Sequence, residues 1–240
     1  MSLLKLITFR KKPEEELPIP SNGLILYLDA ANPDSYPGSG TTWTDLSGNG
    51  NHGTLQNGVG YSASNDGTLV FDGINDRVAV NSAAVARVQN TNNTLITFVQ
   101  DISKSQNDIM GNGQSAPGDY ILMLINNKIR GHSWSSTNNA NAVDSPTTFP
   151  AGTWKMVAQR TTWGGNIDIF LNGTPVNSKV LSGGVPNGTR TSMGIGWRLN
   201  SGNTVSHFSG SIAVVLVYNR ALTNSQIVSI FNTFKNRYGL

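Results

Sequence analysis

The chain has 240 residues, of which 13% are charged, with a formal net charge of +3 and no cysteine. The absence of cysteine excludes a disulfide-stapled scaffold, and the length suits one large all-β domain. The few lysines and arginines are scattered, which argues against nucleic acid as a partner. No apolar stretch reaches the length of a membrane-spanning helix, so we expect no membrane insertion and synthesis in a cytoplasm.

Residues 1–20 differ in composition from the rest of the chain. An apolar and basic segment is followed by Pro13, three glutamates, Pro18 and Pro20. Prolines remove backbone donors and favour an extended linker, so we predict an N-terminal arm over 1–20 and one domain over 21–240. The arm either frays or docks on a partner through its apolar residues. These are Leu3, Leu4, Leu6, Ile7 and Phe9.

From residue 23 onward, short runs of β-forming residues alternate with turns rich in Gly, Asn, Ser and Thr. Residues 24–28 and 212–218 are almost continuously apolar, which is typical of strands covered on both faces. Asn126-Asn127 and Asn172-Gly173 are predicted tight hairpin turns, because Asn and Gly tolerate positive φ. The other predicted strands are 68–71, 77–80, 95–99, 121–125, 128–134, 154–160, 167–171 and 174–180. This density of strands predicts an antiparallel β-sandwich or jelly roll.

One short helix is predicted at the C-terminus. Thr223 and Gln226 have the spacing of a capping box, and apolar residues follow at helical intervals from Ile227 to Phe234. Gly239 is placed to end the helix. We therefore expect the helix to lie against one edge of the sandwich.

All the glutamates of the chain are consecutive, as Glu14, Glu15 and Glu16, and no glutamate follows Leu17. Glycoside hydrolases need two carboxyl groups across the scissile bond, and Asp168, in mid-strand, has no carboxylate two residues away. No serine stands in the context of a nucleophile elbow. The sequence therefore predicts a non-enzymatic protein without catalytic residues.

Two groups of residues are candidates for ligand contacts. Asp72, Asn75 and Asp76 share one turn and offer oxygen ligands for calcium, although such side chains also cap the backbone of their own turn. Three tryptophans near strand ends are candidates for stacking on a sugar ring, or for packing at the rim of the core with a bonded indole N–H. They are Trp134, Trp163 and Trp197. Trp163 precedes Gly164-Gly165 and is expected to be the most exposed of them.

Four segments in this order resemble the laminin-G-like group of concanavalin A-like jelly rolls. They are 24–29 with 45–55 (DLSGNGNHGTL), 71–78 (FDGINDRV), 154–176 with FLNGTPV at its end, and 208–223 ending in YNRALT. The opening LYLDA and the tail FKNRYGL are similar to the versions found in structural proteins of tailed bacteriophages. The resemblance implies an all-β, antiparallel jelly-roll β-sandwich, to which the residues above add one short C-terminal helix and an extended N-terminal arm. Laminin-G-like domains often bind calcium, so the resemblance also makes calcium a candidate ligand.

The resemblance also implies a virion component assembled in the host cytoplasm. In the main hypothesis the protein is a capsid-decorating protein, anchored to the major capsid or another virion protein by its arm, with the jelly roll displayed outward. In the alternative it is a carbohydrate-binding fibre or tail adhesin that recognises host surface glycans. Decoration proteins commonly gather around capsid symmetry axes, so we also expect a homo-oligomer, specifically a trimer.

Overall fold

The computed structural model describes residues 19–102, 104–113, 116–198 and 206–240. The five apolar residues predicted to anchor the arm lie outside the described residues. These are Leu3, Leu4, Leu6, Ile7 and Phe9.

The described chain forms strands throughout its length and ends in a helix. The strands are β1 (Leu24–Asp29), β2 (Thr42–Trp43), β3 (Gly53–Gln56), β4 (Gly60–Ser62), β5 (Thr68–Asp72), β6 (Arg77–Val80), β7 (Asn93–Asp101), β8 (Gln106–Gly111), β9 (Tyr120–Ile125), β10 (Lys128–Trp134), β11 (Ala140–Asp144), β12 (Trp154–Thr161), β13 (Asn166–Leu171), β14 (Thr174–Val180), β15 (Met193–Ile195) and β16 (Ser209–Tyr218). The helices are α1 (Ala83–Ala86) and α2 (Asn224–Phe234), with 3-10 turns at Ser64–Asp66, Val88–Asn90 and Lys235–Tyr238.

The strands form two antiparallel sheets that face each other. Sheet A has the order β14-β13-β12-β7-β16-β5-β4, and β1 also pairs with β16. Sheet B has the order β11-β10-β9-β8-β15-β6-β3-β2. This arrangement confirms the predicted all-β sandwich, in which the inner faces of the two sheets share one core.

Strand β16 shows why its sequence is apolar at nearly every position. Val215 and Val217 belong to the core between the sheets, whereas Val214, Leu216 and Tyr218 belong to a second cluster on the outer face of sheet A. Side chains alternate between the faces of a strand, so both faces are apolar only where both are covered.

The cover on the outer face of sheet A is helix α2. Thr223 and Gln226 form the predicted capping box, and Ile227, Ile230 and Phe234 belong to the outer cluster of sheet A. Gly239 has the left-handed conformation, with φ of 66°, that ends the last 3-10 turn. The predicted helix, its capping box and its terminal glycine are confirmed. The helix lies on the outer face of sheet A and not at the expected edge of the sandwich, because the apolar side chains that it covers belong to the central strands β7, β12 and β16. Within the described ranges, none of the helices is long and apolar enough to span a membrane.

The two predicted hairpin turns are also confirmed. Asn126 and Asn127 both have positive φ, of 48° and 59°, between β9 and β10. Asn172 and Gly173 do the same between β13 and β14, with φ of 48° and 80°. Positive φ at both central residues matches the twist of the flanking strands, and this explains why Asn and Gly occupy these positions.

The segment 45–51 covers the free edge of β1, which among the described strands pairs with β16 alone. The Asn49 and Asn51 side-chain amides donate hydrogen bonds to the carbonyls of Leu24 and Ile25, and Tyr27 N–H donates to Asp45. The side chains of this segment thus supply donors and acceptors that a neighbouring strand would otherwise provide. An unpaired strand edge invites aggregation, so this seal keeps β1 within its own sheet.

Asp45 organises that segment. Its carboxylate is 6% exposed and accepts hydrogen bonds from Tyr27 N, Ser47 N, Ser47 Oγ and Asn51 N, at 2.8 to 2.9 Å. Four bonds to one carboxylate hold the segment against β1.

We therefore expect Asp45→Ala to lower the free energy of unfolding by about 3 kcal/mol, because buried N–H donors lose their acceptor. Urea unfolding of the wild type and the variant measures this difference. The matched control is Asp34→Ala, since Asp34 is exposed. Equal destabilisation by the two substitutions would contradict the assigned role of Asp45.

Candidate functional site

The turn predicted to hold calcium binds its own backbone. Asp72 Oδ1 accepts hydrogen bonds from Ile74 N at 2.7 Å and Asn75 N at 3.3 Å, and these backbone bonds lower the pKa of Asp72. Asp76 Oδ2 accepts from Asp72 N at 2.9 Å, and burial raises the pKa of Asp76. The carboxylates thus cap the turn, and the described ranges contain no group of three His, Cys, Asp or Glu residues suited to a metal. Calcium binding here stays a prediction.

The three candidate tryptophans do not come together. Trp163 packs against the core between the sheets, and its indole N–H donates to the Gln89 carbonyl at 2.7 Å. It is half-buried at the rim, as the packing alternative predicts. Trp134 is 4% exposed, which agrees with the packing alternative and leaves no exposed ring for a sugar. Trp197 is half-buried, and its ring contacts the side chains of Arg77 and His207.

Trp134 and Trp197 both lie on the outer face of sheet B. Ile129 of β10 and Val78 of β6 belong to the core between the sheets, so alternation places Trp134 and Arg77 on the opposite face. On that face Ile121, Met123 and Trp134 form a cluster to which no described helix contributes a residue. Helix α2 covers sheet A instead.

The centre of this face is packed and contains a buried ion pair. Asp108 of β8 is fully buried and lies 3.3 Å from Arg198. Burial raises the pKa of Asp108, and the nearby Arg198 opposes that effect. Because the centre is filled, the half-buried side chains toward the two ends of the sheet are the ones that solvent reaches.

At one end these side chains form the Trp197 cluster, which consists of Gln56, Arg77, Trp197 and His207. The guanidinium carbon of Arg77 lies 4.7 Å from the centre of the Trp197 ring, and Arg77 Nε donates to Gln56 Oε1 at 2.7 Å. The His207 ring is parallel to the indole within 6°, at 6.5 Å. Burial lowers the pKa of His207, and the charge of Arg77 lowers it further.

Gly194 explains why the indole can lie against the sheet. A Cβ atom at this position of β15 would stand 2.5 Å from Nε1 of Trp197. Only glycine leaves that space, so any other residue would displace the ring from the strand.

At the other end, β10 carries His132 beside Trp134, with ring centres 3.9 Å apart. Burial lowers the pKa of His132 to about 4, and the positive charges of Arg130, Arg198 and Lys179 add to the effect. The ring is therefore neutral at physiological pH.

The aspartates that lie in or beside strands serve mainly as structural ion-pair partners. Asp29 pairs with Arg237, Asp119 with Arg190 and Asp168 with Arg160, at 2.8 to 2.9 Å. Asp168 also accepts a hydrogen bond from Ser178 Oγ at 2.6 Å. These contacts give the carboxylates a role in joining segments of the fold.

Sequence reasoning missed Gln56, Arg77, His132 and Arg198. The alternation of β6 signals that Arg77 faces away from the core, since Val78 and Val80 are apolar. Nothing local signals that Gln56 stands opposite Arg77, because this depends on the pairing of β3 with β6.

The lowered pKa of His132 predicts a loss of stability in acid. The unfolded chain takes up the proton near pH 6.5 and the folded chain only near pH 4, so stability falls as the pH decreases between these values. We expect His132 to contribute about 2 to 3 kcal/mol to this loss. His132→Phe, which keeps a ring beside Trp134, should lose correspondingly less stability between pH 7 and pH 4 in urea unfolding. A His132 pKa near 6.5 in an NMR titration would contradict the prediction.

Known structures resemble the chain along most of its length. The binding domain of Paraclostridial Mosquitocidal Protein 1 superposes with a TM-score of 0.70 and 16% identity, over 91% of this chain and 55% of that one. The receptor-binding domain of botulinum neurotoxin C/D mosaic serotype gives 0.68 and 13%, over 89% and 52%. The botulinum neurotoxin DC binding domain, in complex with rat synaptotagmin II, gives 0.69 and 13%, over 89% and 52%. The chain thus spans about half of each of these structures.

At such identities the superpositions establish the fold alone. A search of curated protein sequences found no match. The family model that matches is described as the concanavalin A-like lectin/glucanases superfamily, and it covers residues 71–228. Because this match extends over more than half of the sequence, and the sandwich agrees with it, the chain belongs to the concanavalin A-like superfamily.

Proposed function

We propose that the protein is a non-catalytic binding module that recognises a saccharide at the Trp197 cluster, on the outer face of sheet B. The observation that carries this proposal is the arrangement of Gln56, Arg77, Trp197 and His207 on a face that no described helix covers. Binding sites for small ligands combine ring surface with a few oriented polar groups, and this cluster supplies both.

A binding role also agrees with the chemistry of the carboxylates. No glutamate follows Leu17, and Asp29, Asp119 and Asp168 are each paired with an arginine. A glycoside hydrolase needs one carboxyl group to donate a proton and a second to act as base or nucleophile. Carboxylates that hold the fold together are poorly suited to either task.

The similar structures support the same class of function, since they are described as binding or receptor-binding domains. One of them was solved with a protein partner. Fold alone does not fix a ligand, so the proposal of a saccharide ligand rests on the Trp197 cluster of this chain.

The test is a glycan array probed with the full chain, its Trp197→Ala variant and the control Trp163→Phe. We expect sugar-specific binding that falls about ten-fold or more in Trp197→Ala, because the ring orients Arg77 and supplies contact surface. Trp163 lies away from this face, so Trp163→Phe should bind as the wild type does. A silent array, with every protein folded by circular dichroism, would rule out saccharide recognition.

A second candidate function is capsid decoration within a phage virion, and the position of Ile19 is compatible with it. Ile19, at the start of the described chain, packs with helix α2 on the outer face of sheet A. Sheet B lies on the opposite side of the sandwich. If the arm anchors the protein to the major capsid or another virion protein, the body therefore presents sheet B outward. The two functions are compatible, and a trimer around a capsid axis fits the second.

Deletion of residues 1–18 tests this anchoring role. The body has its own core, so we expect the melting temperature to stay nearly unchanged while incorporation into particles is lost. Leu6→Asp with Phe9→Asp should have the same effect, because charge in an apolar contact is costly. Sedimentation of particles with labelled protein measures occupancy. Truncated protein at wild-type occupancy would place the virion contact on the sandwich itself.

A further inference from the structure

We propose that the saccharide bound at the Trp197 cluster is acidic, and that Arg77 recognises its carboxylate or phosphate group. This inference rests on the proposed function and adds the ligand class.

Arg77 differs from every other described arginine in how its guanidinium is used. Five arginines form ion pairs with aspartates, and two donate hydrogen bonds to backbone carbonyls. The pairs are Arg130–Asp144, Arg160–Asp168, Arg190–Asp119, Arg198–Asp108 and Arg237–Asp29, and the carbonyl-bonded arginines are Arg87 and Arg220. Arg77 bonds Gln56 through Nε, and its two terminal nitrogens make no hydrogen bond to a described residue. They are therefore available to a ligand.

The guanidinium is also oriented before any ligand arrives. Gln56 stands directly opposite Arg77 in the pairing of β3 with β6, and its Oε1 accepts from Nε at 2.7 Å. Trp197 lies against the guanidinium at 4.7 Å. A guanidinium fixed on one edge and one face presents its remaining nitrogens as a planar fork, which matches the two oxygens of a carboxylate or phosphate.

Arg77 forms no ion pair with a described carboxylate. The nearest carboxylates in sequence, Asp72 and Asp76, accept hydrogen bonds from backbone N–H groups of their own turn. Burial lowers the pKa of the neighbouring His207, the charges of Arg77 and Lys104 lower it further, and those of Asp72 and Asp76 raise it, so charges of both signs lie near this end of sheet B. The Arg77 guanidinium, which is held by Gln56 and Trp197, would attract an anionic group directly, and a neutral sugar would not gain that attraction.

The experiment uses the full chain on an array that pairs acidic saccharides with neutral counterparts. The acidic set contains oligogalacturonate and phosphorylated oligosaccharides. The neutral set contains the methyl ester of oligogalacturonate and the unphosphorylated oligosaccharides. Comparison of the two acidic classes identifies the source of the charge, and inorganic phosphate as competitor tests whether a free anion suffices. We expect binding to an acidic saccharide and little binding to its neutral counterpart.

Two variants separate a specific role of Arg77 from general attraction. Arg77→Lys keeps the charge and removes the fork, and Gln56→Glu places a carboxylate opposite Arg77 that neutralises it without disturbing the strand pairing. Each should lower affinity for the acidic saccharide about ten-fold or more. The control Lys128→Ala removes a charge at the start of β10, away from the Trp197 cluster, and should change affinity less than about two-fold.

The possible outcomes distinguish this inference from the proposed function. Acidic-saccharide binding that is lost in Arg77→Lys and Gln56→Glu supports both. Binding of neutral saccharides that is insensitive to Arg77→Lys overturns the acidic ligand and leaves saccharide recognition standing. If Lys128→Ala weakens binding of the acidic saccharide as much as Arg77→Lys does, the effect comes from non-specific charge, and the role of Arg77 is overturned. No saccharide binding at all overturns both.

Discussion

The burial of strand β16 on both faces is the constraint on which the rest of the structure depends. This strand pairs with β1, β5 and β7, so it holds together the middle of sheet A. Its side chains enter the core between the sheets on one face and the cluster under helix α2 on the other. Each buried Val or Leu contributes roughly 1.5 to 3 kcal/mol, so burial on both faces of β16 stabilises sheet A.

The C-terminal helix follows from this constraint, because an apolar outer face on sheet A needs a cover. Arg237, just after α2, binds Asp29 of β1 at 2.8 Å, and its guanidinium lies 5.3 Å from the Phe234 ring centre. Both ends of the described chain thus pack on the sheet A side, where Ile19 and Leu240 join the same cluster. The outer cluster of sheet B contains no residue of a described helix, and this is the side on which we propose that a ligand binds.

Because few residues of this protein are charged, Arg77 can be compared with every other described arginine by the partner that each one binds. Most described arginines are engaged by an aspartate or a carbonyl, and some of these contacts, such as Arg237–Asp29 and Arg190–Asp119, join segments distant in sequence. Lys155 and Asp101 form another such pair, which is almost completely buried at the end of β7. Arg77 stands apart in this pattern, because among the described residues its guanidinium is held by Gln56 and Trp197 and by no carboxylate. A guanidinium that forms no ion pair within the fold is a candidate partner for an anionic ligand.

The sequence by itself determined the local elements and the family. Strand alternation, the Asn-Gly turn at Asn172 and the capping box at Thr223 are encoded within a few residues, because they express backbone preference and the face that each side chain takes. Sequence also showed that paired glutamates are missing from the domain. Only the tertiary structure decided which strands are neighbours. It brought Trp134 and Trp197 to one face, buried the former, and placed Gln56 beside Arg77, because such contacts depend on long-range strand order that no local pattern records.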